Sequence, residues 1–272
     1  MNNYSSEHTY YLNNKKREKR KIIFFRFLII LVFLISWQLL SVFNIINSFL
    51  FSSPLKLLNT TIDLFFEGNL IYNISITIFE VFICSIISFF LSIVFSYFLW
   101  NFKLLSKILD PFIAVLNSLP KVALGPLIII WVGSGISSII FMAILISFFV
   151  ATINIYNSFI SVNKDYILLM KIFKSSKWMM FKKCILPSNI SNLISIFKVN
   201  VSMNFIGVIM GELLVSKNGI GYLIMYGSQI FNIDLVLTGV IILGLFSYIF
   251  YYLIEKFEKK LHQTLIWIIF LI

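Results

Sequence analysis

Charge is absent from Phe27 to Leu55, from Val81 to Phe102, from Val122 to Asn163, from Val199 to Gly211 and from Leu235 to Ile254. A bilayer core of about 30 Å is crossed by roughly 20 apolar helical residues, so runs of this length read as membrane spans. The stretch from Val122 to Asn163 is too long for one crossing, and Gly133-Ser134-Gly135 supplies a turn inside it. Six spans follow, near 22–43, 78–100, 107–132, 137–159, 188–210 and 235–255. The fold class expected is all-α, a polytopic membrane protein. Of 272 residues 60% are apolar and 12% charged, against about 45–50% and about 25% in soluble domains, which excludes a water-soluble enzyme.

The net charge of +11 would suit nucleic acid until its placement is considered. Lys and Arg cap the apolar runs, so the partner is the lipid bilayer and no nucleic acid is expected. Seventeen basic residues fall in 15–21, 101–107, 160–186 and the segment after Ile254, whereas the other side holds Lys56 and Lys217. The positive-inside rule then places both termini in the cytoplasm. No small-residue cleavage site follows the first apolar run, which is read as an uncleaved helix. Residues 1–21 form a basic cytoplasmic tail, 22–260 the six-helix domain, and 261–272 an apolar tail too short to span, expected to anchor at the interface. Cys84 and Cys184, 100 residues apart, offer neither a disulfide framework nor metal-ligand spacing.

Two segments lie outside the spans. Between 44 and 77, Leu55, Leu58, Ile62, Phe65 and Phe66 have the spacing of a short amphipathic helix on the outer interface. The cytoplasmic segment 160–187 interleaves lysines with Tyr166, Leu169, Phe173 and Trp178. Large apolar side chains in a basic loop suit two short helices docking on a cytoplasmic partner, and a helix lying on anionic lipid is the alternative.

Taken in order, Ser53-Pro54, Leu109-Asp110-Pro111, Leu119-Pro120-Lys121-Val122-Ala123-Leu124-Gly125-Pro126, Trp131-Val132-Gly133-Ser134-Gly135, Ile185-Leu186-Pro187, Gly211-Glu212 and Gly219-Ile220-Gly221 resemble the permease subunits of ATP-driven bacterial importers. The resemblance, from about residue 53 to 260, is to the nitrate, sulfonate, taurine and bicarbonate type of ABC transporter. It implies a type I importer permease fold, an ABC ATPase subunit, an extracytoplasmic solute-binding protein and a second permease copy, most simply a homodimer. The chain is then no enzyme and has no cofactor, ATP being bound by the partner subunit; it carries no Gly-x-x-x-x-Gly-Lys-Ser/Thr loop. Permeases for a thiamine precursor or a riboflavin-type solute are similar and form the alternative.

In such permeases the cytoplasmic loop carries an E-A-A triplet, a Gly and an I-x-L-P end. That register falls on Leu168, Leu169 and Met170, on Lys174, and on Cys184 to Pro187, with only Leu186-Pro187 kept. The coupling residues implied are Asp165, Leu168, Met170, Phe173, Lys174, Ser175, Ser176, Trp178, Leu186 and Pro187. A Lys in place of the turn Gly costs roughly 1–2 kcal/mol if left-handed, so a differently built turn is expected. Ser175 and Ser176 suit the cap of the second short helix, and Asp165 the first turn of the first. Glu80 replaces the basic residue usual in similar proteins.

Charges within spans mark a second group, since an unpaired one costs several kcal/mol in the bilayer. Lys121 follows the break at Pro120 and lies roughly 21 Å beyond Lys107 if the segment is helical, and Lys198 about 16 Å beyond Pro187. With Asn117, Ser118, Pro120, Ser202 and Asn204 they form the candidate translocation path for a small anion; the alternative is that each lysine pairs with a helix C-terminus or with Asp110 and only positions spans. Hydrogen bonding between helices is the alternative use of Asn117, Ser118, Asn200, Ser202 and Asn204. Glu212, Lys217 and Asp234 read as a solvated outer rim. An intramembrane enzyme is disfavoured because His8 and His262 lie in the tails. An ion-coupled transporter would show inverted repeats and a midplane carboxylate.

Overall fold

A computed structural model describes the backbone of residues 6–66 and 69–271 and the side chains of 10–66, 70–256 and 258. Every described element is helical: α1 Ser6–Val42, α2 Ser48–Phe51, α3 Pro54–Phe66, α4 Asn69–Asn101, α5 Lys103–Ser118, α6 Gly125–Val132, α7 Ile136–Ile160, α8 Lys164–Ile172, α9 Lys177–Met180, α10 Leu186–Ser188, α11 Ile190–Val215, α12 Ile220–Gln229 and α13 Ile233–Leu271. A 3-10 turn, Lys121–Leu124, precedes α6, and a π-helical turn, Phe181–Ile185, joins α9 to α10.

Among the described residues, five helices are long and apolar enough to cross a membrane, and α5 with α6, bent by 82°, counts as a sixth if the pair is taken as one span. Pro120 causes the bend. It lacks an N–H, so the Leu116 carbonyl has no i→i−4 donor, and α5 ends at Ser118. The distance of Lys121 along a straight rod, as expected from the sequence, is therefore corrected: the chain turns before reaching it. Gly133 and Gly135, at φ of +94° and +133°, make the next turn in backbone conformations that side chains rarely adopt.

The centre is α7, sandwiched between α4 and α11. Close approach is permitted by Gly207 and Gly211, one helical turn apart. A Cβ on Gly207 would lie 2.4 Å from the Ala143 Cα, and one on Gly211 2.9 Å from the Ile139 Cα. Small residues at this spacing are what helix pairs use when burial from water supplies no drive within lipid. On the other face of α7, a serine stripe of α4 crosses at hydrogen-bonding distance. Ser92 Oγ donates to the Phe148 carbonyl at 3.1 Å and Ser96 Oγ to the Thr152 carbonyl at 3.0 Å.

At the cytoplasmic end Ile155, Phe159, Phe181 and Ile185 are buried together, with Tyr97 and Trp100 against them. At the outer end Leu70, Ile220, Leu223 and Ile242 form a second cluster that seats α12 between α4 and α13. The expected interfacial helix is α3, whose Leu57 is buried while Leu58 and Phe66 are exposed. Helix α1 stands apart, held through α3, where the Leu55 N–H donates to Gln38 Oε1 at 3.1 Å. The interfacial anchoring expected of 261–272 concerns side chains outside the described residues.

Candidate functional site

Residues 161–189 fold as the pair of short helices that the sequence predicts. Asn163 caps α8, its Oδ1 accepting from the Asp165 N–H at 2.9 Å, while Asp165 sits in the first turn near the positive end of the helix dipole. Ser176 caps α9 by accepting from the Met179 N–H at 3.2 Å. Ser175 does not cap α9. Its hydroxyl donates instead to the Met170 carbonyl at 2.6 Å, closing the end of α8.

The turn between them passes through Lys174 at φ +49°. The expectation of a differently built turn is thereby corrected. The chain keeps the left-handed residue that a Gly would supply without strain, and Lys174 bears a cost of roughly 1–2 kcal/mol there. Two bonds hold it, from the Lys174 N–H to the Lys171 carbonyl at 2.9 Å and from the Ser175 N–H to the Met170 carbonyl at 3.1 Å. These satisfy carbonyls that α8 would otherwise leave open.

The loop divides its apolar side chains between two directions. Met170 and Ile167 pack against the cytoplasmic core, as does Leu186. Trp178 leans on the same region, its ring 5.6 Å from Tyr97 and 6.1 Å from Phe181, with one face still open. Tyr166, Leu168, Leu169, Ile172 and Phe173 stand in solvent, Phe173 at 72% exposure. Pro187 opens α10, where a missing N–H does no harm. Lys177 Nζ donates to the Asn101 carbonyl at 2.8 Å and so ties α9 to the end of α4.

The candidate path residues do not gather at one place. Asn117, Ser118, Pro120 and Lys121 meet at the bend between α5 and α6. Lys121 is only 8% exposed, and its Nζ donates to Asn117 Oδ1 at 3.2 Å and to the Ile146 carbonyl at 3.4 Å, 5.5 Å from the Phe149 ring centre. Ser118 Oγ donates to the Val115 carbonyl at 2.8 Å, within its own helix.

Lys198 lies elsewhere, on the side of α11 that meets α13. It forms an ion pair with Glu258 at 2.5 Å, with Ser195 donating to the same carboxylate at 2.8 Å and the Tyr251 ring 5.5 Å away. Ser202 Oγ donates back to the Lys198 carbonyl at 3.1 Å. Asn204 is enclosed between α4, α7 and α11. Its Nδ2 donates to Ser88 Oγ at 3.1 Å and to the Asn200 carbonyl at 2.8 Å, and its Oδ1 accepts from Ser147 Oγ at 3.1 Å. That is a hydrogen-bond network between helices.

One arrangement was not foreseen from the sequence. Glu212, read there as part of a solvated rim, is 1% exposed. Thr77 Oγ1 donates to its Oε1 at 2.6 Å and the Gly221 N–H to its Oε2 at 2.6 Å. The Ile220 N–H donates to Thr77 Oγ1 at 2.9 Å, and the Gly219 N–H to Asn73 Oδ1 at 2.6 Å. Glu212 thus occupies the start of α12, where unpaired N–H groups point, and α4 closes over it. Glu80 is buried beside it on α4. A signal was present in the Gly219-Ile220-Gly221 spacing, since a Cβ on either Gly would lie within 2.8 Å of Glu212 atoms.

Residues 93–263 match the family model described as binding-protein-dependent transport system inner membrane component. The chain is 24% identical over 225 residues to the putative aliphatic sulfonates transport permease protein SsuC of Bacillus subtilis, covering 83% of this chain and 82% of that one. It is 26% identical over 235 residues to the formylaminopyrimidine transport permease protein ThiX of Halalkalibacterium halodurans, covering 86% and 93%. Among solved structures, it superimposes on a chain of the MetNI methionine ABC transporter in an inward-facing conformation. The TM-score is 0.60 at 14% identity, over 69% of this chain and 95% of that one.

Proposed function

The chain belongs to the family of binding-protein-dependent transport system inner membrane components, and from that premise we propose that it conducts a small organic or inorganic anion of the sulfonate, nitrate, taurine or bicarbonate class. It has the type I importer permease fold and is the multi-pass, non-catalytic plasma-membrane subunit of an ABC importer. The family implies an ATPase and an extracytoplasmic binding protein as partners.

The observation that carries the anion reading is the setting of Lys121. Of the two cations read at membrane depth, Lys198 is neutralised by Glu258, whereas among the described residues Lys121 has neutral acceptors alone. An ammonium held by an amide and a carbonyl leaves a net positive potential at the bend. Helical structure is interrupted there, and Ser118, Leu119, Pro120 and Val122 are exposed on the single chain. Broken backbone at this depth is tolerated where it is covered by protein or lines a water-filled cavity. A second copy placed against this face supplies both, with the path running between the two bends. Asn117 and Ser118 then line it beside Lys121, and Lys198, Ser202 and Asn204 serve the packing around it.

Docking of the ATPase is assigned to the exposed ridge of Tyr166, Leu169, Ile172 and Phe173, with Trp178 and the α8–α9 turn beside it. Asp165, Leu168, Lys174, Ser175 and Ser176 shape that surface, while Met170, Leu186 and Pro187 fasten it to the spans. The likeness to ThiX favours a second reading, in which the solute is a thiamine precursor. Uptake into vesicles holding the assembled importer separates the two. Lys121→Met is expected to cut transport of an anionic solute such as taurine about tenfold or more, a loss of about 1.4 kcal/mol in recognition, with Lys121→Arg retaining most of it. Unchanged anion uptake with normal ATP hydrolysis would end the anion reading, and uptake of a neutral aminopyrimidine untouched by Lys121→Met would favour the second.

A further inference from the structure

Four lysines, Lys103, Lys107, Lys164 and Lys171, line one cavity of about 630 Å³ at the cytoplasmic ends of α4, α5 and α7, with α8 as its outer wall. None of the four makes an ion pair among the described residues. Asp165 is the one carboxylate on the lining, so the cavity carries a net charge of +3 from the four cations less that anion. The hydroxyls of Ser106 and Tyr156, 2.6 Å apart, stand within it; one donates to the other, which leaves one O–H to offer a ligand. Its inner wall is apolar, formed in part by Trp100 and the buried Phe159. A volume in the range of ordinary ligand sites, a cationic rim and an apolar floor are features of a pocket, where a solvated charged surface would have neither floor nor walls.

The stripe of α8 that closes the cavity shares Asp165 and Leu168 with the surface assigned to the ATPase but is centred away from its ridge. Lys164, Leu168 and Lys171 follow one another at steps of four and three residues, so they share a stripe. Tyr166, Leu169 and Phe173 fall on the opposite side of the same helix. The cavity therefore stays lined when the exposed ridge is covered.

Its position selects the ligand. Helix α4 ends at Asn101, α5 begins at Lys103 and α7 ends at Ile160, so the cavity lies where these helices end on the lysine-rich, cytoplasmic side, the end that faces the inner leaflet. We propose that it binds the phosphodiester headgroup of an anionic phospholipid of that leaflet. The lysines and the free O–H of the Ser106–Tyr156 pair hold the phosphate, and the glycerol and upper acyl carbons lie against Trp100 and Phe159. Free phosphate would meet the same cations but would make no use of the apolar floor.

The test uses the full-length chain, purified in mild detergent and offered dioctanoyl phosphatidylglycerol, dioctanoyl phosphatidylcholine or inorganic phosphate. Bound molecules are counted by native mass spectrometry, and the unfolding midpoint is followed in parallel. Phosphatidylglycerol is expected to be retained at one tightly held molecule per chain and to raise the midpoint, with phosphatidylcholine doing neither. Replacing all four lysines by Gln is expected to weaken retention roughly a hundredfold, given several cations near one anionic group, and replacement by Arg is expected to keep it. Should the fourfold Gln variant not fold, Lys103→Gln with Lys107→Gln on the exposed start of α5 is the substitute, and the comparison of lipids on the unaltered chain stands by itself. Equal retention of the two lipids, or of phosphatidylglycerol by unaltered and Gln chains, overturns the proposal. A midpoint rise from inorganic phosphate equal to that from phosphatidylglycerol also overturns it, assigning the cavity to a free anion.

Discussion

A glutamate as enclosed as Glu212 persists only because each of its oxygens has a donor. A buried acceptor left without one costs about 1–3 kcal/mol, and so does a donor stranded by removing the acceptor. The two glycines before it in space are therefore as much a part of the arrangement as the carboxylate. Gly221→Ala is expected to lower stability by about 1–3 kcal/mol through overpacking against Glu212. Gly219→Ala should lose more, because its φ of +103° also strains any side chain. Thermal unfolding in detergent measures both, with Gly244→Ala as the control, since a Cβ there meets nothing within 4 Å. Gly244 lies in α13, where Ala is favoured over Gly by about 0.5–1 kcal/mol, so that variant is expected to hold or gain stability. An equal loss at all three positions would mean that contact with Glu212 is not what makes the glycines necessary.

Elements of this chain differ in how far their own residues announce them. The five unbroken spans were readable because lipid selects on one property, and an apolar run of sufficient length has few other uses. The break at Pro120 was readable too, as a missing N–H, but not its 82° angle, which is fixed by how α6 packs on α7. Helices α8 and α9 were legible from Asp165, Ser176 and the interleaved aromatics, whereas the cap on α8, Asn163, was not. The left-handed Lys174 was legible only as a difficulty, because the sequence states the strain and not the two bonds that overcome it. Those bonds lead to a prediction at this scale. Lys174→Gly is expected to stabilise the loop by about 1–2 kcal/mol, seen as slower amide exchange at Ser175, while leaving capture of the ATPase intact. Phe173→Asp combined with Leu169→Asp, which changes the exposed ridge alone, is expected to abolish capture in a pull-down from membranes. Retained capture by that double variant would move the docking surface off α8.

At the scale of the whole molecule, what sequence reasoning could not supply is which distant residues share a neighbourhood. Lys121 and Lys198 look alike as cations within apolar runs. Only the packing of α13 on α11 gives one of them Glu258 and leaves the other with neutral partners. Glu212 was misread for the same reason, its partner Thr77 being 135 residues away. Orientation, by contrast, is a sum over many lysines and survives errors at single positions. Asn218 and Asn163 are both exposed, one in the turn after α11 and the other before α8. With Cys84 and Cys184 buried, Asn218→Cys is expected to react with a membrane-impermeant maleimide in intact cells whose outer membrane, if present, is permeabilised. Asn163→Cys is expected to react only after the inner membrane is opened. The reverse pattern would invert every loop assignment made above.

The bend between α5 and α6 has a consequence for the lifetime of the protein. A chain whose third crossing is broken within the bilayer presents peptide groups to lipid until something covers them. On the pairing proposed above, a single copy leaves these groups uncovered and a second copy covers them. On that pairing, a copy expressed without the rest of the importer is expected to have a shorter half-life in cells than an assembled one, which a chase after blocking synthesis would measure.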